Sequence, residues 1–185
     1  MMNGEEMNGG ISLNDMEKAL VCLLMTSMEA PVQAESAGLT QEMFADASSA
    51  GYQNYEISLD ESDARLARLH WDDKQYEEVR RAARNQNIRI LSACFSGHRR
   101  FPLGSSSREL EERGIRMMRE GIDFCQNLGV RMLQVAGYDA FYEPRSHETA
   151  ARYRENILRC LEWAEQAGVM LAIEPVEVNL VKVSD

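Results

Sequence analysis

No CxxC pair occurs in this chain: Cys22, Cys94, Cys125 and Cys160 are spread widely. Structural zinc sites and disulfide scaffolds need denser spacing, so four reduced thiols, mostly in the core of a cytoplasmic protein, are expected. Basic excess is missing too. Lys and Arg number 20 against 30 Asp and Glu in 185 residues, a net charge of −10. Nucleic-acid binders displace counterions with a basic footprint, so DNA and RNA are poor first partners. Small anions remain open, because local basic clusters can exist on an acidic protein. The apolar run ALVCLLM at 19–25 is far too short to span a bilayer. MMNGEEMNGG at 1–10 is polar and acidic, lacks the basic start of a secretory signal, and is expected to be a flexible tail. No P-loop, GxGxxG, HExxH or GxSxG motif is present.

What is present is an alternation of two periodicities. Strands are predicted at 52–58 (YQNYEIS), 88–92 (IRILS), 130–136 (VRMLQVA) and 169–173 (VMLAI). Their starts are 36, 42 and 39 residues apart. Between them lie amphipathic helical runs. One presents Tyr76, Val79 and Ala83, the next Ile115, Met118, Ile122 and Cys125, and the last Tyr153, Ile157, Cys160 and Ala164. Ser starts and Gly stops punctuate them. An earlier strand is placed at 11–15 (ISLND) in preference to 20–25. Strands this apolar, read as apolar on both faces, belong to a parallel sheet covered by helices. Right-handed crossovers then leave a doubly wound sheet or a β/α barrel.

Either architecture binds ligands beyond the carboxyl ends of its strands. Glu56 and Glu174 fall there, and two acids on one rim could share a metal or exchange protons with a substrate. His98, Arg99 and Arg100 follow the strand at 88–92 and could orient an anionic group. Tyr138 and Asp139 follow Gly137, which would let the chain approach a ligand closely. Solvated strand-end acids and a solvated basic loop are the alternatives. Met117 and Met118 read as core filling.

Four stretches carry a resemblance: YEISLDESDARLARLHW (55–71), SGHRRFPLGS (96–105), LQVAGYDAFYE (133–143) and LAIE (171–174). Together they resemble the bacterial L-ribulose-5-phosphate/L-xylulose-5-phosphate 3-epimerase family, enzymes of L-ascorbate and related pentose breakdown. ISLNDMEKAL (11–20) is similar to that family's first strand and its continuation. The resemblance implies a TIM barrel, a sugar-phosphate substrate and a divalent metal acting as Lewis acid on the substrate oxygens. It implies that Glu174 is the fifth-strand glutamate, which binds the metal and shuttles the proton. Glu56, His98, Arg99, Arg100 and Tyr138 resemble parts of the substrate rim. Departures follow Glu174: in EPVEVNLVKVSD, Glu177 can stand for the family's acidic step, while Asn179 and Lys182 are out of place.

A complete barrel needs about 250 residues. At one unit per 40 or so, 11–185 is expected to hold about the first five βα units of an incomplete (β/α)8 barrel. The remaining Asp, His and Glu metal ligands would belong to strands six to eight. The expected isolated chain is marginally stable, lacks turnover, and either self-associates or takes a complementing C-terminal fragment. Alternatives are a non-phosphorylated keto-sugar epimerase or isomerase of the same superfamily, and a non-catalytic remnant. A DNA-repair endonuclease of that superfamily is disfavoured by a total of three His.

Overall fold

A computed structural model describes residues 41–174. The tail at 1–10, the strand expected at 11–15, Cys22, Glu177, Asn179 and Lys182 lie outside the described residues. Within them, helix α1 (Gln41–Ser49) leads to strand β1 (Asn54–Ser58). A short helix α2 (Asp63–Leu66) and a 3-10 turn (Ala67–His70) follow, then α3 (Asp73–Asn85) and β2 (Arg89–Phe95). A second 3-10 turn (Gly97–Arg99) precedes α4 (Arg108–Leu128), β3 (Met132–Ala136), α5 (His147–Ala167) and β4 (Met170–Glu174).

Local chemistry sets the helix ends. Asp72 and Gln75 form a reciprocal capping box on α3, and Ser146 and Thr149 do the same on α5. Ser107 caps α4. Gly129 and Gly168 end α4 and α5 at φ 79° and 68°, a left-handed turn that a Cβ would strain. α2 and the first 3-10 turn were not anticipated, since single turns are too short to show a period.

All four strands are parallel, in the order β1-β2-β3-β4. The expected alternation of strand and helix is therefore seen. β2 runs to Phe95 rather than residue 92, because Ala93, Cys94 and Phe95 pair with Leu133, Gln134 and Val135. No helix among the described residues is long and apolar enough to cross a membrane.

The two faces of the sheet differ, which corrects the reading of strands apolar on both sides. Tyr55, Ile57, Ala93, Phe95, Leu133 and Val135 are buried. They form one core with Met117, Met118, Ile122, Phe124 and Cys125 of α4, so the two methionines are core filling. Each such side chain contributes about 1.5–3 kcal/mol of burial. Tyr76, Val79 and Ala83 of α3, and Tyr153, Ile157, Cys160 and Ala164 of α5, join it as their spacing predicts; Ile115 is only half-buried. The opposite face carries Glu56, Ser92, Cys94, Gln134 and Glu174, and no described helix covers it. Polar residues interrupt it among Met132, Ala136, Met170 and Ala172, where a fully covered sheet would repeat Val and Ile.

Candidate functional site

Parallel register brings the polar face together. Glu56 pairs with Ser92, Cys94 with Gln134, Gln134 with Ala172, and Ala136 with Glu174. A bulge between Tyr55 and Glu56 resets β1 against β2 and so places Glu56 opposite Ser92. Glu56, Met132, Gln134, Ala172, Ile173 and Glu174 line a cavity of about 280 Å³. The two acids singled out in the sequence therefore share one cavity.

The Ser92 hydroxyl donates to Glu56 Oε2, while Glu56 Oε1 has no hydrogen-bond partner among the described residues. Burial raises the Glu56 pKa; the Ser92 bond opposes this and the Glu174 charge adds to it. Burial, then the Glu56 and Glu174 charges, push the Cys94 thiol up to about 12 against the pull of Arg99. Cys94 thus stays a neutral thiol on the polar face.

A raised carboxyl pKa costs stability when the charge must form. A carboxyl whose folded pKa exceeds its unfolded value stabilises the fold below the unfolded pKa, and that contribution fades as pH rises through the folded pKa. Glu56→Gln keeps the shape and an amide for Ser92. It is expected to raise Tm by about 2–4 °C at pH 8 and to leave it unchanged at pH 4. Calorimetry at the two pH values checks this; equal shifts at both would show that Glu56 is not the titrating group.

Glu174 is exposed at the end of β4. Its backbone carbonyl accepts the Gly137 N–H at 2.8 Å. A Cβ on Gly137 would stand 2.7 Å from that carbonyl oxygen and 3.0 Å from Ile173 Cγ2. The close approach expected at Gly137 is therefore to the Glu174 backbone, because two parallel strands end side by side there.

The three consecutive basic residues do not form one cluster. His98 is 2% exposed, with its ring 4.7 Å from that of Phe95 on the helix side of the sheet. Burial lowers its pKa to about 4, weakly opposed by the Gly114 backbone, so it is a neutral core residue and not part of a solvated rim. Arg100 is exposed and pairs with Asp63 at 2.5 Å. It borders a second cavity of about 310 Å³ with Phe101, His70 and Arg113, lined from α2 and α4. Arg99 instead lies over the Phe141 ring at 5.4 Å, and its charge acts on Cys94. A 3-10 turn rotates each successive side chain by about a third of a circle, which separates the three.

Tyr138 is 2% exposed, and its ring lies 5.1 Å from that of Phe141. Asp139 is buried as well. Its carboxylate accepts from Arg145 at 2.6 Å and from the Thr149 hydroxyl, which ties down the loop after β3. Ser92, Cys94 and Gln134 were missed as site residues. Gln134 was visible as the one amide inside VRMLQVA; Ser92 needed the bulged register.

Parallel strands in sequential order, alternating with helices and carrying polar side chains on one face, are the scaffold of a β/α barrel. Residues 44–182 match the family model described as xylose isomerase-like TIM barrel, and the chain belongs to that family. Over 130 residues it is 40% identical to the L-ribulose-5-phosphate 3-epimerase UlaE of Salmonella typhimurium, covering 70% of this chain and 46% of that protein. The chain spans about half the length of the curated relatives it matches. Among solved structures, D-psicose 3-epimerase with D-fructose superposes at a TM-score of 0.63 and 15% identity, over 79% of this chain and 50% of that one. An L-ribulose 3-epimerase superposes at 0.54 and 18% identity, over 74% and 44%. At these identities the superpositions establish the fold.

Proposed function

We propose that this chain carries one wall of a metal-dependent 3-epimerase acting on L-ribulose or L-xylulose 5-phosphate. The observation that supports it is the convergence of Glu56 and Glu174 on one cavity of the open sheet face. Inverting C3 requires removal of a proton alpha to the C2 carbonyl and its return to the opposite face. Glu174, exposed at the mouth, is the group that takes or returns the proton on one face. Glu56, held by Ser92 and biased toward its protonated form, donates a hydrogen bond to a substrate oxygen. Gln134 offers an amide on the floor between them.

The donor set fits a hard divalent cation in part. Glu174, Glu56 and the Gln134 amide are oxygen donors of the right kind. Among the described residues no three His, Cys, Asp or Glu side chains form a cluster able to hold a metal. Glu174 would hold the ion together with ligands from outside residues 41–174. When bound, a divalent cation supplies Lewis-acid stabilisation of the enediolate oxygens. Among the described residues β4 has one neighbouring strand, and Met170 and Ile173 on it are exposed. That edge is where further strands, in this chain, a second copy or a complementing fragment, would bring the opposing wall.

Calorimetric titration of the full chain with L-ribulose 5-phosphate, with and without Mn²⁺, tests this. The sugar phosphate and Mn²⁺ are expected to bind together without turnover, and Glu174→Gln to weaken Mn²⁺ by at least about tenfold. Failure of the sugar phosphate to bind under either condition would overturn the epimerase reading. Turnover by the isolated chain would overturn the one-wall reading.

A further inference from the structure

We propose that Phe141 and Tyr142 form a gate over the mouth of β2. The Tyr142 hydroxyl latches it to Glu61, and Phe141 is the plug that shuts Arg99 and Tyr138 away from water. The gate follows from the loops alone and stands apart from the epimerase reading.

The bond that defines it crosses a strand. In the sheet, β2 lies between β1 and β3. β1 and β2 stay joined past their ends, where the Leu59 N–H donates to the Cys94 carbonyl at 2.8 Å and the Gly97 N–H to the Leu59 carbonyl at 3.1 Å. Tyr142 belongs to the loop after β3 and Glu61 to the loop after β1. The Tyr142 hydroxyl donates to both Glu61 carboxylate oxygens, at 3.0 and 3.2 Å, across 81 positions of sequence. The loop after β3 therefore reaches past the end of β2 to the loop of the strand beyond it.

Three aromatic rings run inward from the latch. Tyr142 is 68% exposed and Phe141 40%, whereas Tyr138 is 2% exposed. The Phe141 ring stands edge-on to Tyr142 at 4.9 Å and tilted against Tyr138 at 5.1 Å. The Arg99 guanidinium lies over the same Phe141 ring. Phe141 thus separates the exposed latch from the polar pair behind it. Burial pushes the Tyr138 phenol above its ordinary range, against the charge and the hydrogen bond of Arg99, as a phenol sealed from water should show.

The gate has fixed ends. On one side the Asp139 carboxylate accepts from Arg145 at 2.6 Å, and its carbonyl from the Gly104 N–H at 2.9 Å. On the other, the Glu143 carboxylate accepts from the Ser105 hydroxyl at 2.5 Å and the Ser106 N–H at 2.8 Å. Between these anchors Ala140 is buried, and Phe141 and Tyr142 stand at the surface. An exposed hydrogen bond exchanges with water and contributes little net stability. A ring as exposed as Tyr142 adds little burial. Segments held in this way open at low free energy while their surroundings stay folded. Breaking the latch frees Phe141 to turn outward. The mouth of β2 then opens on Arg99 and Tyr138, and the sheet does not move.

Hydroxyl-radical footprinting of the full chain, with microsecond exposure and residue-by-residue mass spectrometry, tests the gate. In the parent chain, oxidation should be low at Tyr138 and high at Tyr142. Tyr142→Phe keeps the ring and removes the donor; Glu61→Ala removes the acceptor. Each is expected to raise Tyr138 oxidation about three- to tenfold, the range set by one hydrogen bond. The double variant should match either single variant to within about twofold, because both changes break the same bond. Phe141→Ala should exceed both, since Tyr138 then lacks its cover even when the latch is closed. Tyr153, buried on α5, reports on the rest of the fold and should not change. No rise at Tyr138 in either latch variant, rises that multiply in the double variant, or an equal rise at Tyr153 would each overturn the gate. No rise with Phe141→Ala would overturn Phe141 as its plug.

Discussion

Gly137→Ala should open the mouth of β3 and β4 and displace Glu174. The new Cβ would lie 2.7 Å from a backbone carbonyl oxygen, which cannot swing away as a flexible side chain can. Relief requires the strand ends to part, and the Gly137 N–H to Glu174 bond of 2.8 Å is lost with them. Overpacking against backbone costs about 2–3 kcal/mol, or about 5–10 °C in Tm for a chain of this size. Amide exchange gives the local readout: the Gly137 N–H should lose protection while the Leu133 N–H in the same strand keeps it. On the role proposed for Glu174, Mn²⁺ affinity should fall along with it. An unchanged Tm and unchanged protection at Gly137 would contradict the close approach.

Gly104→Ala should cost still more, about 3 kcal/mol or more. Its Cβ would be driven between two backbone oxygens, that of Thr149 and that of Asp139, the latter at 2.6 Å. The Gly104 N–H already donates to the Asp139 carbonyl at 2.9 Å. This contact joins the loop after β2 to the loop after β3. Further bonds tie the loop after β2 to α5: Asn156 Nδ2 donates to the Leu103 carbonyl at 2.8 Å and Arg152 Nε to the Ser105 carbonyl at 3.0 Å. Separating the loops should therefore lower Tm. Thermal unfolding measures this; a variant with an unchanged Tm would show that the loops are not held together at Gly104.

Several features were open to sequence reasoning because they depend on local chemistry alone. Helix ends at Ser107, Ser146, Gly129 and Gly168 follow from capping and left-handed turns. The buried residues of α3 and α5 follow from a 3.6-residue period. Glu174 at a strand mouth follows from an apolar run that stops on an acid. The basic triplet at 98–100 was legible as a cluster of cations but not as three separate environments. Its division depends on which side of β2 each side chain meets, and a turn of three residues carries no periodicity to reveal that.

By itself the sequence determined the alternation of strand and helix, the parallel pairing, and the two acids at strand ends, since each is dictated by propensity, spacing and capping within a few residues. Tertiary structure alone decided that one sheet face is polar and open, that Ser92 rather than a neighbour meets Glu56, and that His98, Arg99 and Arg100 enter three separate environments. Those outcomes rest on register and on contacts between segments far apart in the chain, as in Asn156 of α5 to Leu103 across 53 positions. No local rule encodes such distances, because the energy that selects them exists only once the strands are side by side.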